Sequence, residues 1–191
     1  MNFLTDFADQ AVVLPFALVV AVALGVAGWW RGMFAWILAV GGVLGTILTL
    51  KLVCIACAIH FNPIGVVSPS GHTAGACIAY GGLLVLLMHG RLPRLVVALL
   101  PVGIGVLIGI SRLALHAHTL GDVMVAMVVG MAGVAVLALL AGPRPALRPW
   151  PVGMAVLVVL AVFHGLRMPA EAAIHHAALA DLLPLLPACR A

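Results

Sequence analysis

The chemistry in this sequence is concentrated in one run, Ser111-Arg112-Leu113-Ala114-Leu115-His116-Ala117-His118-Thr119-Leu120-Gly121-Asp122, set between two long apolar stretches. His118 and Asp122 are four residues apart, so on a helix they share one face. A carboxylate placed there accepts the Nδ1–H of His118, fixes its tautomer and leaves Nε2 free as a nucleophile. Arg112 adds a planar cation whose donors fit phosphate oxygens. The competing reading of the same residues is a helix-end salt bridge of Arg112 with Asp122, with His118 as interfacial filler. Ionisable groups at membrane depth favour the functional reading.

A second polar island, Ser68-Pro69-Ser70-Gly71-His72, opens another apolar run. The first turn of a helix presents free backbone N–H groups and the positive end of its dipole, which makes a seat for an anion. Gly71 allows close backbone approach, and the Ser70 hydroxyl adds one more donor. Ser70 also fits an ordinary N-cap. Two apolar spans separate His72 from Ser111, so both islands fall on the same face of the membrane and can meet.

The elements that must position these groups follow from composition. The chain has 191 residues, 65% hydrophobic and 7% charged, with a mean hydropathy of +1.32. A soluble domain carries about 25% charged residues, so lipid is the solvent here. A spanning helix needs about 20 apolar residues, and six stretches qualify: 11–30, 33 to about 58, 72–89, 95–110, 120–141 and 151–168. The expected fold is all-α, an integral membrane bundle of six transmembrane helices forming a single domain over residues 1–191. Residues 169–191 are expected to form an interfacial C-terminal helix and tail.

Arg31, Arg91, Arg94, Arg144 and Arg148 fall in the connections after the first, third and fifth stretches. The positive-inside rule puts these in the cytoplasm and both islands on the outer face of the plasma (inner) membrane. Arg167 and Arg190 lie on the outer side and weaken that bias. The four Trp, at 29, 30, 36 and 150, sit near the Arg-bearing ends, where an interfacial belt is expected. The net charge of +4 comes from scattered residues and makes no nucleic-acid footprint. Asp6 and Asp9, with no preceding base, exclude a signal-peptide reading of the first run.

Cys54 and Cys57 read as small packing residues, as does Cys77, and Cys189 as a free thiol; too few ligands accompany them for a metal. Gly41 with Gly45, and Gly105 with Gly109, have the small-xxx-small spacing of close helix contacts. His116, two residues from His118, is expected to point away from it. His60, His89 and His164 read as interfacial groups, and His175-His176 as a solvated pair.

Ser111-Arg112, five residues, His118, three residues, Asp122 resembles the third motif of the type 2 phosphatidic acid phosphatase family, and Pro69-Ser70-Gly71-His72 resembles its second. The resemblance covers roughly residues 51–122 and extends to the six-span layout. It implies a phosphohydrolase that needs no metal or other cofactor, acting on a lipid phosphate in the bilayer. It implies that His118 attacks phosphorus, Asp122 supports it, and His72 protonates the leaving oxygen. Arg112, Ser70 and Gly71 would hold the phosphate. The first motif departs from the pattern: Lys51 matches its Lys, but Ala58 and Ile59 stand where the family has Arg-Pro. Lys51 also fits a stem that snorkels to the interface. His60 and Asn62 are candidates to fill the gap.

Overall fold

The computed structural model describes residues 2–57, 65–143, 145, 150–166 and 168–183. Among the described residues there are eight helices. A short α1 (Asn2–Asp6) leads to α2 (Gln10–Val26) and α3 (Trp30–Ala56). Then come α4 (Gly71–Met88), α5 (Arg94–Ala114), α6 (Leu120–Leu140) and α7 (Trp150–Phe163). Last is α8 (Ala170–His176), which continues as a π-helical turn over Ala177–Leu182. Helices α3 to α6 are long and apolar enough to cross a membrane, whereas α2 and α7 are apolar but shorter.

The boundaries depart from the hydropathy reading where glycine intervenes. The first stretch stops at Val26 because Gly28 takes a left-handed turn (φ 77), and Trp30 already opens α3. The sixth stops at Phe163, before Gly165 at φ 86. In both places the backbone leaves the helical region at a residue without a Cβ to oppose it.

Most of α4 is buried, so it is the axis on which the other helices pack. Midway it widens into a π turn at Cys77–Gly81, where Gly81 lies against Pro101 of α5 so closely that a Cβ would come within 2.6 Å of the Pro101 Cα. Gly105 and Gly109 also stand at close contacts, against Cys77 and Met127, and against Val123. Gly41 and Gly45 have no neighbour within 4 Å of where a Cβ would sit, so that half of the spacing argument is corrected: they lie on the outward face of α3.

The Trp reading also needs correction. Trp36 is fully buried, donating to Ala17 O at 2.9 Å, and Trp29 is buried with its Nε1 donating to Ala141 O. Trp30 alone among these three is exposed; the Trp150 side chain lies outside the described residues. Arg31 Nε caps the end of α6 by donating to Leu140 O at 2.8 Å. The opposite end of the bundle gathers the N-terminus of α2, the C-termini of α3 and α5, and the N-termini of α4 and α6. Both polar islands lie there.

Candidate active site

The hub is Asp122. It is the third residue of α6, in a capping box with Thr119: Asp122 N donates to Thr119 Oγ1 (3.1 Å) and Thr119 N to Asp122 Oδ2 (3.0 Å). Its Oδ1 accepts from Val67 N (2.9 Å) and Ser68 N (2.7 Å), and its carbonyl accepts from Ser70 N (3.3 Å). Thr119 Oγ1 in turn donates to Gly65 O at 2.6 Å. The two islands therefore meet, bound largely through a carboxylate that is 2% exposed.

His118 faces the same carboxylate, with Nδ1 3.6 Å from Oδ2. It does so by a route other than a shared helix face. The helix begins at Leu120 with Thr119 as N-cap, so His118 lies just outside it. The four-residue spacing still pairs them, because Asp122 turns back toward its own N-terminus. The separation is slightly beyond a hydrogen bond, as is common in unliganded sites.

The loop that delivers His118 is set by the end of α5. His116 N donates to Leu113 O and Ala117 N to Arg112 O, a Schellman closure with His116 at φ 52 in the position that usually holds Gly. The loop turns His116 into the same cleft as His118, against the helical expectation.

A cleft of about 730 Å³ opens here, bordered by Ser68, Arg112, His118, Asp122, Glu171 and His175 among others. Arg112 Nε is buried with no hydrogen-bond partner among the described residues. No ion pair of Arg112 with Asp122 forms among the described residues, so that competing reading is not what the geometry shows. His175, expected as solvated, lines the cleft while remaining exposed.

Lys51, Gly71 and His72 lie beside this cleft and line a smaller, apolar groove of about 240 Å³ with Leu14, Leu44 and Ile174. Ser68 ties the two spaces together, because it borders the cleft and accepts from Lys51 Nζ at 3.3 Å. Ser70 is fully buried behind them, its Oγ accepting from Thr73 N and Thr73 Oγ1; it is the N-cap of α4. Ala58, Ile59, His60 and Asn62 lie outside the described residues.

Two acids escaped the sequence reading. Asp9 caps α2 through Ala11 N (2.9 Å), accepts Met168 N (3.0 Å), and places Oδ2 3.8 Å from His72 Nε2. Glu171, at the start of α8, holds Lys51 Nζ with both oxygens at 2.6 and 2.8 Å. Cys57 is disulfide-bonded, which corrects its reading as a packing residue, while Cys54 and Cys77 are free and buried. Cys189 lies outside the described residues. No group of three or more His, Cys, Asp or Glu suited to a metal occurs among the described residues.

Burial lowers the pKa of His118 below its ordinary 6.5, and the Lys51 and Arg112 cations lower it further, against the opposing pull of Glu171 and Asp122. The imidazole is therefore neutral at neutral pH, the form a nucleophile requires. The acid limb of kcat/KM should fall below pH 6.5, and Lys51→Met, by removing one depressing cation, should move it upward. Between the two values the unfolded chain binds the extra proton, so acidification through that window also costs stability. A pH–rate profile of the wild type and the variant checks the shift.

The described residues form a helical bundle with four helices long and apolar enough to cross a membrane and a polar cleft of about 730 Å³ at one end. Residues 57–146 match the family model of the PAP2 superfamily, a stretch that holds both islands, and this supports assignment to a type 2 phosphatidic acid phosphatase-like family. No curated protein and no solved structure matches the chain. Lys51, Asp9 and Glu171 all fall outside the matched stretch.

Proposed function

We propose that the chain is a six-span membrane phosphohydrolase that removes phosphate from a lipid phosphate or polyprenyl diphosphate at the outer leaflet, without a metal. His118 attacks phosphorus in line with the bond to the leaving oxygen. The P–O bond breaks, a phosphohistidine forms, and His72 supplies a proton to the departing oxygen. Water then attacks phosphorus and gives a proton to His72, the P–N bond breaks, and inorganic phosphate leaves with His118 free and His72 protonated again. Arg112, Lys51 and the backbone at Gly71 hold the phosphoryl oxygens, Ser70 supports that turn from behind as N-cap, its N–H being taken by the Asp122 carbonyl, and Asp122 keeps His118 in its productive tautomer.

The observation that carries this reading is the convergence on Asp122, which joins a histidine from one island to the backbone of the other. The superfamily match supports the reaction class. The Arg-bearing connections support an outer-face site. So does the disulfide at Cys57, since disulfides persist in oxidising compartments. A cysteine introduced at Asn62 should react with an impermeant reagent from outside, and one at Arg144 should not; the reverse pattern would sink the outer-leaflet placement.

Two other readings use the same site. In phosphotransfer an alcohol takes the phosphoryl group from His118. In a non-catalytic lipid-phosphate binder or transporter the groups only hold the headgroup, a reading favoured by Ala58 and Ile59 where the family has Arg-Pro. A nucleophile with its orienting carboxylate is not needed for binding alone. The purified protein, given a panel of lipid phosphates with chelator present, should release inorganic phosphate and be inhibited by vanadate. Loss of activity with chelator and its return with a metal would contradict the metal-free reading.

A further inference from the structure

Lys51 is 2% exposed, and its ammonium has three N–H donors. Each has an acceptor in reach: Glu171 Oε1 at 2.6 Å, Glu171 Oε2 at 2.8 Å and Ser68 Oγ at 3.3 Å. No donor is left for a phosphate. Glu171 is half-exposed and borders both the polar cleft and the apolar groove. The carboxylate thus stands where the two spaces adjoin, and it shares the cleft lining with Arg112, whose buried Nε has no hydrogen-bond partner among the described residues.

The segment that carries it is pinned, because Met168 N donates to Asp9 Oδ1 at 3.0 Å and Ala178 farther along is fully buried. Burial raises the Glu171 carboxyl, but the charge and hydrogen bond of Lys51 outweigh that and hold it below the ordinary carboxylate range. It is therefore an anion at neutral pH.

We infer that Glu171 is an internal competitor for the phosphate seat: its carboxylate occupies the donors of Lys51 that a substrate or product phosphoryl group uses, and so sets how tightly the site holds phosphate. The inference rests on the phosphate-site reading above. A phosphoryl group entering from the cleft takes over Lys51 as the Glu171 side chain rotates outward, toward the solvent it already half meets. After turnover the carboxylate returns to Lys51 and helps expel inorganic phosphate. The exchange replaces one charged partner of Lys51 by another, so the buried ammonium is never left unpaired, which a buried charge strongly disfavours.

The test uses the full chain in detergent, titrated with orthovanadate and with inorganic phosphate by calorimetry. Glu171→Gln keeps the shape and one acceptor for Lys51 but removes the competing charge. It should bind both anions roughly tenfold more tightly than the wild type, within the usual range for two ligands coupled through one site. The KM for a lipid phosphate should fall with it. If the amide variant does not fold, Glu171→Ala is read the same way. Unchanged or weaker anion affinity in the Glu171 variant, with vanadate bound by the wild type and lost in Lys51→Met, overturns the inference and leaves the phosphate site standing. Absence of vanadate binding in every protein, wild type included, overturns the phosphate-site reading together with the inference built on it.

Discussion

Replacing His118 with Ala lowers phosphate release from a lipid phosphate by more than about 1,000-fold, since removal of an activated nucleophile leaves only binding and charge stabilisation. The fold should survive the change. His118 lies in the loop before α6, and its structural contact is a 3.6 Å approach to Asp122 whose carboxylate has other partners. The measurement is turnover beside a thermal unfolding curve. A variant that unfolds like the wild type yet keeps near-normal turnover means that the nucleophile is wrongly assigned.

Asp122→Asn is expected to damage both activity and stability, which separates it from the His118 variant. Oδ1 accepts two backbone N–H groups, and Oδ2 accepts one and faces His118 Nδ1. An amide in either orientation turns an NH2 toward donors. A hydrogen bond to a charged group is worth about 1.5–3 kcal/mol, and an unsatisfied buried donor adds to the loss. The unfolding midpoint should fall clearly. The kcat should drop by roughly 10²- to 10⁴-fold as His118 loses the partner that fixes its tautomer. A variant with an unaltered midpoint would show that Asp122 does not hold the islands together.

Much of this arrangement was legible in the residues. The apolar runs marked the long helices, and counting spans put Ser68–His72 and Ser111–Asp122 at one end, where the backbone bonds to Asp122 join them. The local path of His118 was legible too: Thr119 and Asp122 have the spacing of a capping box, which starts the helix after His118. The fifth apolar stretch itself starts at residue 120, so pairing His118 with Asp122 on one helix face conflicts with that start, and the capping box resolves the conflict. His116 was misplaced because a Schellman turn with a non-glycine residue at positive φ leaves no glycine in the sequence to mark it.

The two acids were not legible. Asp9 and Glu171 reach His72 and Lys51 across 63 and 120 positions, and no periodicity links residues so far apart. Each is a single carboxylate in a terminal segment, where composition alone suggests a solvated charge. The matched family stretch does not include either one, so only the packing of α2 and α8 onto the site reveals them.

The most direct test of the account is where phosphate becomes attached. The purified chain is mixed with a lipid phosphate carrying a radioactive phosphoryl group, quenched within the first turnover in alkali, and digested for peptide mapping. An acid-labile, alkali-stable label is expected on His118 and absent from His118→Ala. Label on another residue that persists in His118→Ala would contradict it.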